Sequence, residues 1–227
     1  MSLAGAMALA VLLKNPFQGF RGVYMNIQKF NGSPFLSNAY LVFDKNEAVL
    51  IDCGACMENI YHFLYKRNLT LKAIILTHSH LDHSYFAGEA RKRTGASVYC
   101  HSDEARVLVD PEANATKLFR RELDTDLDLK FLNEGDKITV GDTELTVMHT
   151  PGHTCGSISL YSEAEGVVFT GDTMFEGAFG RSDLKYGNRS SIMRSLARLC
   201  ELDKSTVVYP GHGDETTIGA ECVHYGF

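Results

Sequence analysis

The stretch Thr77-His78-Ser79-His80-Leu81-Asp82-His83 carries four metal-ligand side chains within six residues. It follows the apolar run 73–76, which predicts a buried strand, and it precedes a segment with helical periodicity. The first two histidines would therefore lie in an extended loop at the carboxyl end of the strand, where open α/β sheets bind ligands, and would point the same way. The aspartate and the last histidine follow as the chain turns into the helix. The pattern predicts four donors around one small volume.

These donors are imidazole and carboxylate groups without a thiolate, a set that suits zinc, iron or manganese. The alternative is that the histidines are solvated loop residues and that Asp82 only caps a helix. Three of the nine histidines of the whole chain lie in this stretch, and such clustering favours the metal site.

Single ligand-type residues follow three other predicted strands. They lie in Pro151-Gly152-His153, Gly171-Asp172 and Pro210-Gly211-His212. A lone histidine or aspartate beside glycine is usually only a turn residue, although glycine also lets a backbone approach a site closely. Because the three occur together with the first stretch, we expect them to complete the same site.

Patterns of apolar residues predict an α/β architecture in two strand-rich halves. The predicted strands are 23–30, 39–43, 48–51, 73–76, 97–100, 137–140, 143–148, 167–170 and 206–209. The predicted helices are 57–67, 85–93 and, in an irregular insert that resembles a flap, 101–108 and 114–122. Helices accompanying each half predict two facing sheets with helices outside, a four-layer αββα sandwich of the α/β (α+β) class with the metal loops along one edge.

Composition and charge restrict the function. The chain has 227 residues and a net charge of -6, so it offers no basic field for nucleic acid or an anionic membrane. We expect a small-molecule substrate and leave the oligomeric state open. The apolar stretch 3–13 is too short to span a bilayer and has no basic segment before it, which predicts a cytoplasmic protein. We expect residues 1–24 to be an extension that the fold does not need, and residues 25–227 to form a single domain.

Six cysteines permit a disulfide framework, but a chain of this length can bury a sufficient core without one. Cys53 and Cys56 have C-x-x-C spacing with no second pair at zinc-finger distance. We therefore expect reduced thiols and no structural zinc.

Taken in order, the seven ligand-type residues resemble the metal-binding pattern of the metallo-β-lactamase superfamily, over roughly residues 25–213. The resemblance implies two divalent ions, most simply zinc, with iron or manganese as alternatives. The implied ligands are His78, His80 and His153 for the first ion, Asp82, His83 and His212 for the second, and Asp172 as the bridge between them.

Within the superfamily, four stretches resemble signatures of the glyoxalase II group, the hydroxyacylglutathione hydrolases and their short relatives. They are 150–154, 169–175, 180–183 and 209–213. The chain departs from that group at Cys53 and Cys155, where proline is usual, and in having only 14 residues after Gly213, where full-length members carry a helical domain that helps to hold glutathione. The resemblance implies hydrolysis of a thioester and leaves the glutathione specificity open.

The mechanism implied by this resemblance would use a hydroxide bridging the two ions to attack the carbonyl carbon. Asp82 would also orient that hydroxide and accept its proton. Asp52 either fixes a ligand histidine through its far nitrogen or caps a turn or helix. Arg181 either anchors a substrate carboxylate or pairs with Asp183.

Phe179 and Tyr186 either wall the substrate pocket or pack in the core.

Two alternatives remain for the activity. Persulfide dioxygenases share Gly180-Arg181-x-Asp183 and hold a single iron, although the complete second ligand set here favours two metals; the other alternative is a hydrolase of another ester or a lactone. No sequence feature favours a binding module without turnover.

Overall fold

The computed structural model describes residues 25–32 and 34–226. The predicted extension 1–24 lies outside the described residues, so the domain boundary at residue 25 stays a prediction. Within the described part of the chain, no helix is both long and apolar enough to cross a membrane.

The residues that the structure describes form two large sheets, and six strands make up the first. They are β1 (Asn26–Phe30), β2 (Ala39–Asp44), β3 (Glu47–Ile51), β4 (Thr70–Ile75), β5 (Ser97–His101) and β6 (Lys130–Leu132). They lie side by side in this order. The pairs β1–β2 and β2–β3 are antiparallel, whereas β3 to β6 are parallel. β1 and β2 therefore form a hairpin, and β3, β4 and β5 are neighbouring parallel strands.

The second sheet also has six strands. They are β7 (Lys137–Val140), β8 (Thr143–His149), β9 (Ile158–Ser162), β10 (Val167–Gly171), β13 (Val207–Pro210) and β14 (Thr216–Thr217), and β11 (Met174–Phe175) and β12 (Ala178–Phe179) form a separate short ribbon. Their spatial order is β14-β13-β10-β9-β8-β7. β7 and β8 pair antiparallel as a hairpin.

Helices accompany both sheets. They are α1 (Met57–Arg67), α2 (Leu81–Ser84), α3 (Ala87–Thr94), α4 (Glu104–Leu108), α5 (Thr116–Phe119), α6 (Arg189–Leu199) and α7 (Ile218–Tyr225). The predicted helix 114–122 is shorter than expected, because Ala115 and Arg120 have left-handed backbone conformations, with φ of 66° and 51°, that end α5 on both sides.

Three apolar cores separate the layers. Leu41 and Leu50 face α1 and α3, whereas their strand neighbours Val42 and Ile51 pack between the two sheets. In the second sheet, Val168 packs towards α6 and α7, and the residues on either side of it face the inter-sheet core. Strand side chains alternate between faces, so these central strands are buried on both sides. The predicted four-layer αββα sandwich is confirmed.

The expectation of reduced thiols is wrong for one cysteine pair. Cys200, which ends α6, and Cys222 on α7 form a disulfide with their Cα atoms 5.6 Å apart. Neither helix was predicted from the sequence, and the two cysteines have no motif spacing, so only the tertiary packing of α6 against α7 shows that they meet. Cys53, Cys56, Cys100 and Cys155 are free thiols.

Candidate metal centre

The seven ligand-type side chains come from the segments that follow the carboxyl ends of four strands. The first four follow β4, and the chain bends into α2 immediately after His80. His153 lies beyond the end of β8, Asp172 directly follows β10, and His212 lies beyond β13. The structure brings all seven together at one edge of the sandwich.

His78, His80 and His153 form a first group, in which one ligand atom of each lies within 4.8 Å of the others. Nδ1 of His80 is 2.8 Å from Nε2 of His153. All three side chains are buried. Burial lowers the pKa of each, to about 3 for His80. The rings are therefore neutral at physiological pH, the state in which imidazole binds a metal.

Asp82, His83 and His212 form a second group with the same compactness. Nε2 of His212 lies 3.1 Å from Oδ2 of Asp82 and 3.2 Å from Nε2 of His83. Burial opposes protonation of both histidines, but the neighbouring carboxylates outweigh it and raise the pKa of His83 and of His212. The His212 side chain is 33% exposed, so this group marks the open side of the centre.

Asp172 lies between the two groups. Its Oδ1 is 3.3 Å from Nε2 of His83, and its Oδ2 is 3.5 Å from Nε2 of His153 and 3.7 Å from Nε2 of His212. Burial favours the neutral acid, but the nearby histidines, His83 foremost, hold the pKa of Asp172 well below its usual range. One carboxylate thus reaches both groups, as a bridging ligand must.

Hydrogen bonds outside the cluster orient three of the rings. Nδ1 of His83 lies 2.8 Å from Oδ2 of Asp52, and Nδ1 of His153 lies 2.8 Å from the carbonyl oxygen of Arg181. Nδ1 of His78 lies 3.1 Å from the hydroxyl oxygen of Thr77. Donation from each Nδ1 leaves the Nε2 lone pair of these rings for the cluster, an arrangement typical of metal-ligating histidine.

Unpartnered buried atoms test whether the cluster suits a metal ion. Among residues 25–32 and 34–226, five buried side-chain nitrogen or oxygen atoms lack a hydrogen-bond partner, and three of them belong to the seven residues. These three are Nε2 of His78, Nε2 of His80 and Oδ1 of Asp172. Nδ1 of His80 is the ring nitrogen that faces His153, so Nε2 of His80 points away from the cluster. Buried polar atoms are nearly always satisfied, so the other two unpartnered atoms, Nε2 of His78 and Oδ1 of Asp172, fit a cation-binding centre.

Glycine is required where the backbone packs against the cluster. A Cβ at Gly211 would lie 2.2 Å from Oδ1 of Asp172 and 2.7 Å from Cε1 of His83. A Cβ at Gly180 would lie 1.8 Å from the carbonyl oxygen of Asp172. Any side chain at either position would displace a residue of the centre.

Comparison with known proteins identifies the family. The profile of the metallo-β-lactamase superfamily matches residues 32–212, most of the chain and all seven side chains. The chain belongs to the metallo-β-lactamase superfamily. Members of this superfamily typically bind a dimetal centre, and the two groups described above are clusters of that kind.

Relatives in the superfamily include proteins named as hydrolases. The chain is 34% identical over 190 residues to the probable metallo-hydrolase YqgX of Bacillus subtilis, covering 83% of this chain and 90% of the relative. It is 31% identical over 202 residues to the hydroxyacylglutathione hydrolase GloC of Haemophilus influenzae, covering 87% and 95%.

Solved structures of the superfamily share the fold. BLEG-1 B3 metallo-β-lactamase aligns with a TM-score of 0.81 and 35% identity, covering 88% of this chain and 97% of the other. TTHA1623 in a di-iron-bound form aligns with a TM-score of 0.77 and 32% identity, covering 86% and 96%. ETHE1 from Myxococcus xanthus aligns with a TM-score of 0.74 and 31% identity, covering 88% and 83%.

The three predicted substrate-binding residues contact other protein side chains in this metallo-β-lactamase fold. Nε and Nη2 of Arg181 each lie 2.8 Å from a carboxylate oxygen of Asp183. The ring of Phe179 packs edge-on against Tyr225 at 5.8 Å. Tyr186 is 36% exposed, and its hydroxyl lies 3.4 Å from Oδ2 of Asp110. Contact of these three with substrate stays a prediction.

The four histidines left outside the predicted centre have ordinary surroundings. His62 and His224 are exposed. His101 and His149, with Asp103, form a further group of donors, but the two rings are stacked at 4.1 Å and 5°. The in-plane lone pairs of parallel rings cannot converge on one ion, so this pair does not fit a metal site as it stands.

Proposed function

We propose that this protein is a binuclear metal-dependent hydrolase that cleaves a thioester such as a hydroxyacylglutathione. The observation that carries the proposal is the pair of three-residue groups that share Asp172. In this proposal the first group and the second group each hold one divalent ion, zinc in the first instance, and Asp172 bridges them. When bound, such ions lower the pKa of a coordinated water to about 7 and polarise the substrate carbonyl.

The chain's own residues orient this chemistry. Asp82 is 17% exposed and, with His212, lines the open side of the centre, from which a substrate approaches. Burial works against ionisation of Asp82, but His83 and His212 outweigh it and keep its pKa below the usual value. Its carboxylate is therefore charged at neutral pH, and we assign it the additional role of orienting the attacking water and accepting its proton.

The relatives support the choice of reaction. The name of GloC is that of a hydroxyacylglutathione hydrolase, and YqgX is named as a probable metallo-hydrolase. In this proposal Asp172 would bridge the ions with a carboxylate, and the donor set contains nitrogen and oxygen only. This set suits zinc and also iron or manganese.

A second candidate is an iron-dependent oxidoreductase of the persulfide dioxygenase kind. The group of His78, His83 and Asp172 favours it, because it has the two-histidine, one-carboxylate composition of oxygen-activating iron sites. The similarity to the di-iron-bound form of TTHA1623 supports iron as the metal. The complete second group favours the hydrolase. A β-lactam, an ester or a lactone is the third class of substrate, which the likeness to BLEG-1 supports.

The test measures metal content and activity on the same purified protein. We expect about two ions per chain and hydrolysis of S-D-lactoylglutathione, with the rate falling by 10²-fold or more in Asp82→Ala. Metal-loaded protein that is inert to thioesters would remove the proposal, and activity on lactones or β-lactams instead would redirect it to the third class. Oxygen consumption by iron-loaded protein with glutathione persulfide would favour the oxidoreductase.

A further inference from the structure

Glu104 is a fully buried carboxylate at the start of α4, at 0% exposure. Its Oε2 accepts a hydrogen bond of 2.7 Å from the backbone N–H of Ser79. Its Oε1 accepts one from the hydroxyl of Thr154 at 2.5 Å and another from the backbone N–H of Gly156 at 2.9 Å. Burial raises the pKa of Glu104, against the effect of these hydrogen bonds.

These donors belong to the two chain segments that carry the first ligand group. Ser79 lies between His78 and His80, and Thr154 directly follows His153. The segments are more than 70 residues apart in sequence, and Nδ1 of His80 meets Nε2 of His153 at 2.8 Å. A carboxylate bonded to both segments fixes the distance between them.

We propose that Glu104 is a positioning residue that holds the loop of His78 and His80 against the loop of His153, and so preorganises the three imidazoles to bind a metal ion. The inference rests on the metal centre of the proposed function. Glu104 itself does not touch the ion or the substrate. It acts through the backbone of the two loops.

The local chemistry requires a carboxylate of this length. All three partners are donors, and an ionised carboxylate is acceptor-only on both oxygens. A glutamine would turn an NH₂ group towards one of these donors, and an aspartate would be one methylene too short to keep both loops in reach. Position 156 must be glycine as well, because a Cβ there would lie 2.8 Å from the backbone nitrogen of Glu104.

The experiment compares Glu104→Gln with a matched buried carboxylate, Glu221→Gln. Glu221 is 3% exposed and accepts hydrogen bonds from Gly177 N–H and the Thr216 hydroxyl, away from the first group. Both variants are made in full-length protein and in the Asp82→Ala background, which weakens the second group and leaves the first as the main site. Zinc affinity is measured by chelator competition, and thermal unfolding is measured on metal-free protein.

We expect Glu104→Gln to weaken zinc binding at the first group by roughly 10- to 100-fold, the effect seen when residues that orient metal ligands are lost. Glu221→Gln should lower the metal-free melting temperature and leave zinc affinity unchanged. Equal destabilisation with unchanged affinity in both variants would overturn the proposal and make Glu104 a packing residue.

Thr154→Val and Thr154→Ser keep the inference testable if Glu104→Gln does not fold. Valine removes one hydrogen-bond donor to Glu104 and should weaken zinc binding, whereas serine keeps the hydroxyl and should keep the wild-type zinc affinity. Unchanged zinc affinity in the valine variant would count against the inference. Wild-type protein that binds no metal would defeat the proposed function itself. If wild-type protein binds two ions and the Glu104 variants keep the wild-type zinc affinity, only this inference is defeated.

Discussion

Oδ2 of Asp52 lies 2.8 Å from Nδ1 of His83, and both side chains are buried. The same carboxylate accepts hydrogen bonds from the N–H and the hydroxyl of Thr77, each at 2.8 Å. The Thr77 hydroxyl oxygen in turn lies 3.1 Å from Nδ1 of His78. One carboxylate therefore orients a histidine of each ligand group, directly in one case and through a hydroxyl in the other.

Asp52→Asn should lower metal affinity at the centre by roughly 10- to 100-fold, because the amide NH₂ cannot accept from all three donors. Asparagine tolerates the left-handed backbone of this residue, with φ of 61°, so the change tests the side chain alone. Titration of metal-free protein with zinc measures the effect.

The matched control is Asp44→Asn. Asp44 is 6% exposed, but its carboxylate accepts from the N–H of Asp142 near the turn between β7 and β8, away from the centre. The control should lose stability without losing metal affinity. Equal affinity losses in both variants would count against a specific role for Asp52.

The sequence predicted the strands and loops of the centre because ligand-type residues follow apolar runs directly. It left open whether Asp52 orients a histidine, because Asp52 and His83 are 31 residues apart in sequence and only the folded structure shows that they are in contact. Glu104 had no sequence signal, since its partners lie 25 to 52 residues away along the chain. Arg181 contributes its backbone carbonyl to His153, which no side-chain pattern reveals.

The helices α6 and α7 escaped prediction for a similar reason. Each is preceded by a capping residue whose side chain accepts a hydrogen bond from the backbone N–H three residues later. The capping residue is Asn188 for α6 and Thr217 for α7. Capping residues of this kind are local signals that could have located both starts. The disulfide between the helices depends on their packing and is not a local property.

Gly54→Ala should disturb the second ligand group. A Cβ at this position would lie 1.6 Å from the carbonyl oxygen of Asp82 and 2.2 Å from Oγ of Ser37, so α2 would have to move. We expect destabilisation of about 1–3 kcal/mol from overpacking, together with weaker metal binding. Gly88→Ala, where the three atoms nearest to the new Cβ all belong to the side chain of Asp124, serves as the control and should keep full metal affinity.

The Cys200–Cys222 disulfide should stabilise the fold without affecting the centre. For bridged residues 22 apart in sequence, the loss of the cross-link is expected to cost about 3 kcal/mol. Denaturant unfolding should show equal losses for Cys200→Ser, Cys222→Ser and reduced wild-type protein, with unchanged metal content. A reductant that leaves wild-type stability unchanged would show that the bond does not form in the protein.

The ion pair of Glu134 with Arg198 should make stability depend on pH. The hydrogen bond from Arg198 lowers the pKa of Glu134 below its ordinary value of 4.5. A lowered folded-state pKa means that the contribution is present above pH 4.5 and is lost as the pH falls through the lowered value. Glu134→Gln should therefore cost up to about 1 kcal/mol at pH 7, a modest amount because both side chains are partly exposed, and the difference from wild type should shrink on acidification. A difference that persists or grows in acid would contradict the assignment.

Arg181→Ala tests whether this side chain binds substrate. The side chain of Arg181 is 56% exposed, and that of its partner Asp183 is 69% exposed. Their ion pair therefore contributes little to stability, and a substrate carboxylate can replace Asp183. Arginine holds the pKa of Asp183 at about 2, so that competing carboxylate stays charged throughout the working pH range. We expect KM for S-D-lactoylglutathione to rise about tenfold, or about 1.4 kcal/mol, with kcat nearly unchanged. Asp183→Asn should lower KM, because it removes the carboxylate that competes with the substrate for Arg181. The KM of a thioester without a carboxylate should change in neither variant. A KM that rises equally in Arg181→Ala for thioesters with and without a carboxylate would show that Arg181 acts on the loop rather than on the substrate.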